Sequence, residues 1–191
     1  PYLGHSTEMG MNGIYIQQAA NCRIDDVTFV NCDYGIILSA GYHCQLSNLS
    51  FQSSRKHGPE NCTGHHAVSL TGPGNLLDGF TINQRFVHDL TVEKSTGNVF
   101  KNGKALDLSI DHHRRAPYEN LFSNIDAGIG DRLFYSGGAR GRGKHAGVRA
   151  VFWNIITEKA VPWPVEMEQE QLLMIGVNIS DSPEISDSAG R

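Results

Sequence analysis

The sequence repeats itself at a spacing of 22 residues, and this repeat limits the possible folds more than any other feature. Residues 21–29 (NCRIDDVTF) align with residues 43–51 (HCQLSNLSF), and residues 13–16 align with 35–38 at the same shift. A later set has the same form, with Asn-Val-Phe at 98–100, Asn-Leu-Phe at 120–122 and, after a shift of 30, Ala-Val-Phe at 150–152. A repeat that tolerates such insertions is typical of a solenoid, because each coil contacts only its neighbours.

Each repeat contains two short runs with alternating apolar positions, bounded by Gly and Asn, and this pattern favours β-strands over helices. We therefore predict an all-β parallel β-helix of about seven coils over residues 13–177, in a domain spanning 1–179 with a polar tail at 180–191. Stacking should place Cys22 over Cys44 and Phe29 over Phe51. An antiparallel β-sandwich is the main alternative, although it has no reason to keep residue identity at a fixed shift. The one helix-like run is 166–173.

Composition and the chain ends set further expectations. The net charge of −4 argues against a nucleic-acid partner, and no apolar stretch approaches the roughly 18 residues of a membrane span. The four cysteines, at 22, 32, 44 and 62, match neither a zinc site nor a dense disulfide scaffold. We expect them to be buried apolar side chains, with a single disulfide as the alternative. Neither end resembles a solenoid cap, so we expect the chain to be part of a longer β-helix.

Three insertions interrupt the repeat, at 53–66, 111–119 and 136–149. The last two follow the same type of strand, so they should project from the same edge of the solenoid on adjacent coils. Segments 111–118 and 136–145 together contain five Arg or Lys and three His against one Asp. We predict that they form one basic site, the alternative being a solvated Gly- and Arg-rich loop. The insertion at 53–66 should leave by the opposite edge unless it folds back, and its His65-His66 pair lacks a zinc-type spacing.

The 22-residue coils, the Asn residues at turns and the apolar ladders resemble the right-handed parallel β-helix proteins of the pectate-lyase-like superfamily. More narrowly, residues 111–122 (DHHRRAPYENLF) and 145–155 (HAGVRAVFWNI) resemble a bacterial β-helix family of secreted carbohydrate-active proteins. The resemblance implies right-handed coils, a polysaccharide partner and a secreted, periplasmic or cell-surface location. Ile110-Asp111-His112 is similar to a strand end at which pectate lyases hold calcium, which makes Ca²⁺ a candidate cofactor. The rest of that signature is absent, as is the polygalacturonase pattern.

The basic loops contain the residue types that β-elimination of a uronic-acid polysaccharide needs. The reaction requires a cation for the carboxylate, a base for the C5 proton and an acid for the leaving oxygen. We expect Arg115 and Arg142 to bind carboxylates, His113 or Lys144 to act as base and Tyr118 to act as acid. The full set of candidate catalytic residues is His113, Lys144, Tyr118, His112 and His145. The candidate substrate-binding residues are Arg114, Arg115, Arg140, Arg142 and Trp153.

Two other function classes fit the same sequence. Hydrolysis of a glycan would need two carboxylates, and Asp111, Glu119, Asp126 and Asp131 are the nearest supply. A noncatalytic β-helix that binds glycans or mediates adhesion would need no reactive groups. A lyase makes unsaturated products that absorb ultraviolet light, a hydrolase makes reducing ends without that absorbance, and a binding module leaves the sugar unchanged.

Overall fold

Two long parallel sheets run along the chain in the computed structural model, which describes residues 2–4, 10–168 and 170–180. The first sheet contains β1 (Asn12–Gln17), β3 (Tyr34–Ser39), β5 (Gly64–Leu70), β7 (Phe86–Val92) and β9 (Ile110–His112). The second contains β2 (Arg23–Val30), β4 (Gln45–Gln52), β6 (Leu76–Ile82), β8 (Val99–Ala105), β10 (Leu121–Asp126), β12 (Val151–Ile156) and β14 (Leu173–Val177). A two-stranded pair, β11 (His145–Ala146) and β13 (Met167–Glu168), lies beyond β9. Successive strands alternate between the long sheets, so the chain is an all-β parallel β-solenoid of about seven coils, as predicted.

The strand register confirms the repeat alignment. Phe29 pairs with Phe51, and their rings stack at 4.9 Å and 7°. In the later coils Phe122 pairs with both Phe100 and Phe152, each ring pair being 4.9 Å apart. These buried rings fill the interior between the two sheets, so the apolar ladder provides much of the buried surface that stabilises the fold.

A ladder of asparagines closes the turn that precedes the second sheet. Asn75, Asn98 and Asn120 are all buried, and the Asn98 Nδ2 donates to Asn120 Oδ1 at 3.1 Å. The backbone N–H of Asn75 donates to Asn98 Oδ1 at 2.7 Å, and the N–H of Asn98 donates to Asn120 Oδ1 at 3.1 Å. The side-chain oxygens of Asn98 and Asn120 therefore each accept a backbone N–H from the preceding coil, which gives these buried polar groups the partners that they require. Asn120 directly follows the 111–119 insertion, so this ladder anchors one of the two basic loops.

The four cysteines are free thiols, and Cys32, Cys44 and Cys62 are buried, as expected for apolar packing. No helix in the described ranges is long and apolar enough to cross a bilayer.

Several local predictions were wrong. Segment 166–173 contains the short strand β13 and no helix over its described residues, because β13 pairs in parallel with β11. His65 and His66 lie in β5 and not in the preceding insertion. The sequence also predicts strands at 106–110 and 133–135, directly before the two basic loops. In the structure the first is confined to Ile110–His112, and residues 133–134 form a turn instead of a strand. Of the predicted tail, only Ser180 lies within the described residues.

Candidate functional site

The two basic loops meet at one edge of the solenoid. The backbone N–H of Arg115 donates to the carbonyl of Arg142 at 3.2 Å. The guanidinium of Arg114 donates to the carbonyl of Gly138 at 3.0 Å and also to that of Gly143. The prediction that these insertions share an edge is therefore confirmed, and Arg114 joins one loop to the other.

The first basic loop has an unusual backbone. Three consecutive residues other than glycine, Arg114, Arg115 and Ala116, have φ values of 63°, 54° and 50°. Side chains disfavour this left-handed region by about 1–2 kcal/mol per residue, and runs within it are rare. The contacts between the loops hold this segment in a conformation that an isolated loop would not keep.

Glu93 lies between two of the predicted carboxylate-binding arginines. Its Oε1 is 3.1 Å from Arg115 Nη1 and 3.4 Å from Arg142 Nη1. The two arginine side chains remain 41% and 38% exposed, whereas Glu93 is 17% exposed. Because one carboxylate faces two guanidinium groups, this part of the surface keeps an excess of positive charge. Arg140 and Lys144 are exposed on the second loop.

Asp111 and His113 form a hydrogen-bonded pair beside these cations. His113 Nδ1 lies 2.6 Å from Asp111 Oδ2, and the backbone N–H of Gly137 donates to Asp111 Oδ1 at 2.8 Å. Burial raises the pKa of the Asp111 carboxyl. The hydrogen bond from His113 and the charges of His88 and His113 lower this pKa by a larger amount, so the net shift is downward. An ionised Asp111 holds the proton of His113 on Nδ1, which leaves Nε2 able to accept a proton. His113 is 15% exposed, whereas Asp111 is fully buried.

A row of imidazoles extends from this pair across the outer face of the first sheet. His66 pairs in register with His88, and their ring centroids are 5.2 Å apart. His88 Nδ1 lies 3.5 Å from Asp111 Oδ2, and the ring of Tyr135 stacks on His88 at 5.7 Å. Sequence reasoning missed His88, although it lies one 22-residue period after His66 and this spacing was a sufficient signal.

The insertion at 53–66 folds back toward this face. Arg55 forms a 2.7 Å ion pair with Asp33, and Cys62 packs in a small buried cluster with Val87, the neighbour of His88. Burial and the charge of Glu60 raise the pKa of Tyr135. The insertion therefore lies near the imidazole row and not at the far edge of the solenoid.

Two of the predicted catalytic histidines are not placed for catalysis. The His112 side chain points into the core, where its ring lies 5.8 Å from that of Phe122 and 6.0 Å from that of Phe152. Burial lowers the pKa of His112 to about 4, so the ring is neutral at physiological pH, and it is fully buried. His145 is 8% exposed and its Nδ1 bonds the carbonyl of His112 at 2.8 Å. We therefore leave His112 out of the candidate site, whereas His145 packs beside it and also lines the pocket described below.

Tyr118, the predicted acid, and Trp153, a predicted substrate-binding residue, lie on different elements of the fold. Tyr118 is 39% exposed at the end of the first basic loop, where Arg149 lies 5.8 Å from its ring centroid. Trp153 is 49% exposed, but it lies on β12 in the second sheet, paired with Ser123 and Ile175. Its partners in the sheet are strand residues and not residues of the basic loops, so we do not include Trp153 in the candidate site.

An open pocket of about 480 Å³ lies at the base of the second basic loop. Its walls include Tyr135, Ser136, His145, Trp163 and Met167. One face of Tyr135 rests on His88, so the pocket and the imidazole row are separated by a single aromatic ring. The volume suits one or two sugar rings, and aromatic walls are common in such pockets.

The carboxylates that a hydrolase would use are not gathered into one pair. Asp131 forms an ion pair with Lys159 at 2.8 Å. Glu119 forms one with Arg149 at 2.6 Å, and Asp126 forms one with Lys104 at 3.2 Å. Asp111 is bonded to His113 and Gly137 instead. These separate partners give no support to a paired-carboxylate mechanism.

Comparison of the chain with protein-family models, with curated proteins and with solved structures finds no match. The class that the molecule defines by itself is the parallel β-solenoid, and its function must be argued from the site.

Proposed function

We propose that this protein is a polysaccharide lyase that cleaves an anionic, uronic-acid polysaccharide by β-elimination. The observation that carries the proposal is the contact between two cationic loops directly beside the Asp111–His113 pair. A carboxylate-binding surface and an oriented proton acceptor at one edge are what this reaction needs, and the likeness to pectate-lyase-like β-helices supports the same reading.

Each step of the reaction is assigned to a residue of the candidate site. Arg115 and Arg142 bind the carboxylate of the sugar and stabilise the negative charge that develops on it when the C5 proton leaves. His113 Nε2 accepts that proton, and the electrons of the C5–H bond are delocalised onto the carboxylate. These electrons form the C4–C5 double bond as the C4–O bond breaks, the C4–O electron pair leaves on the oxygen, and Tyr118 donates a proton to it. Lys144, exposed on the second loop, is the alternative base.

The Asp111–His113 pair also explains why a histidine suits this position. A carboxylate held by Gly137 fixes the imidazole in one tautomer and orientation, which is the usual role of an acid behind a catalytic histidine. Replacing Asp111 with Asn would keep the shape but remove the charge that orients the ring. We propose for the same reason a secreted, periplasmic or cell-surface location, since a protein that cleaves such a polymer must meet it there.

The test is an absorbance assay over pectate, alginate, glucuronan, ulvan and glycosaminoglycans with the wild type, His113→Ala, Arg142→Ala and the control Arg23→Ala. Arg23 is an exposed arginine on the second sheet, ion-paired to Asp25 as Arg142 is to Glu93. We expect ultraviolet-absorbing products from at least one polymer, a loss of about 100-fold or more with His113→Ala, and no change with Arg23→Ala. Reducing ends without absorbance would indicate hydrolysis, and binding with no product would indicate a glycan-binding module; either result contradicts the proposal.

A further inference from the structure

Three metal-ligating side chains converge on one point beneath the second basic loop. One ligand atom each from His88, Asp111 and His113 lies within 4.8 Å of the others, and they form one such group among the residues that the structure describes. We propose that this group is a binding site for one divalent transition-metal ion, Zn²⁺ or a chemically similar ion.

The distances suit a common ion. Ligands about 2.1 Å from a tetrahedral metal are about 3.4 Å from one another. His88 Nδ1 is already 3.5 Å from Asp111 Oδ2, whereas His113 Nδ1 is 2.6 Å from the same oxygen because the two share a proton. An ion that replaced this proton would require the second distance to lengthen by under about 1 Å, which a small rotation of the His113 side chain provides.

The surroundings hold the ligands in place. Asp111 Oδ1 accepts the backbone N–H of Gly137, so Oδ2 is the oxygen that faces the imidazoles. Tyr135 stacks on the His88 ring with an interplanar angle of 19°, which fixes the plane of that ring. Outer contacts of this kind orient metal ligands and are important for affinity. Asp111 and His88 lie on β9 and β7, neighbouring strands of the rigid sheet.

The chemistry of the donors selects the metal. Two imidazole nitrogens and one carboxylate oxygen suit zinc, iron, cobalt, nickel or copper, whereas calcium prefers six to eight oxygens. The site shares Asp111 with the Ca²⁺ site that the pectate-lyase resemblance implies, but its nitrogen donors favour a different ion. Three protein ligands leave a coordination position open, and the 15% exposure of His113 provides a path to solvent.

The test is a direct binding measurement that needs no substrate. The full chain is stripped of metal with a chelator, dialysed and titrated with Zn²⁺ by calorimetry and with Co²⁺ by visible absorption. We expect one ion per chain, and a loss of affinity of about 100-fold or more with Asp111→Asn, His88→Ala or His113→Gln. His57→Ala, which removes a histidine of the exposed 53–66 insertion, should bind as the wild type does.

Circular dichroism shows whether each variant folds. His113→Gln should disturb the fold least, because the His113 side chain is partly exposed. Absence of saturable binding by the wild type would overturn the site, as would unchanged affinity in a folded His113→Gln or Asp111→Asn variant. Because binding is read without a sugar, the result is independent of the proposed lyase activity: if the metal-free protein cleaves no polymer but still binds one ion, the lyase is refuted and the metal site stands.

Discussion

The backbone N–H of Arg115 donates to the carbonyl of Arg142 across 3.2 Å, although 27 positions separate the two residues in the sequence. This bond places the two guanidinium groups on either side of Glu93. The cations are therefore arranged by the backbone and held by one internal carboxylate, and a polysaccharide carboxylate would compete with Glu93 for the same groups.

Glu93→Gln should strengthen the binding of an anionic polysaccharide. The amide keeps the shape of the side chain but no longer competes for Arg115 and Arg142, so KM or Kd should fall by about threefold to tenfold with little change in turnover. Asp25→Asn, which removes an ion pair on the second sheet, is the control. Titration at low and high salt measures the effect, which should shrink as salt screens the cations. Unchanged affinity would show that these arginines do not contact the substrate.

Gly137→Ala should disrupt the Asp111–His113–His88 group. A Cβ at this position would lie 2.6 Å from His88 Nε2, so the loop must move away from the sheet and the bond from its N–H to Asp111 must lengthen. We expect cleavage to fall by about 10- to 100-fold, as displacements near 1 Å at a reacting centre commonly cause. Gly141→Ala is a matched control in the same loop, since a Cβ there meets nothing within 4 Å. Equal activity of the two variants would contradict the geometry of the site.

Phe122→Ala should be among the most destabilising substitutions in the solenoid. Its ring is fully buried between those of Phe100 and Phe152, and truncating such a ring removes about 3–5 kcal/mol from the free energy of unfolding. Val30→Ala, on the exposed face of β2, should change it by no more than about 0.5 kcal/mol. Denaturant unfolding measures both, and similar midpoints would contradict the ladder.

The repeat predicted the coil order and the shared edge because a parallel ladder places residues one period apart side by side. The spacing of the repeat was enough to predict that Phe100 lies beside Phe122 and that the two basic loops share an edge. The sequence predicts a loop from residue 111, and a loop gives no rule for the direction of its side chains. In the structure β9 continues to residue 112, so Asp111 and His112 face opposite sides of the sheet, and His113 lies on the side of Asp111. The structure therefore separates His112, which points inward, from the outward pair that forms the candidate site.

The roles of Arg114 and Glu93 could not be read from composition. Arg114 contacts backbone carbonyls of glycines in the other loop, and a bond to a carbonyl has no side-chain signature in the sequence. Glu93 follows the strand β7 and looks like an ordinary turn residue until the loops are folded over it.

An ion bound at His88, Asp111 and His113 should inhibit the proposed cleavage. A metal at His113 Nδ1 leaves the proton on Nε2, so the ring can no longer accept the proton from C5. We expect Zn²⁺ to lower turnover in a saturable way and a chelator to restore it. The matched variant is His88→Ala, whose rate with Zn²⁺ is compared with its own metal-free rate; it should lose the inhibition because one ligand is gone while the Asp111–His113 pair stays. Loss of activity on chelation would mean that a metal takes part in the reaction.

The two tryptophans of the chain should report differently on a bound oligosaccharide. Trp163 lines the pocket at the base of the second basic loop, with Tyr135 and Ser136, whereas Trp153 lies on the exposed face of the second sheet. An anionic oligosaccharide that binds the basic loops and extends into the pocket should therefore change the fluorescence of Trp163 alone. Titration of Trp153→Phe should show the full change seen with the wild type, and titration of Trp163→Phe should show none. If the signal is lost with Trp153→Phe instead, the sugar contacts Trp153, the substrate-binding candidate named from the sequence, and the pocket is not part of the site.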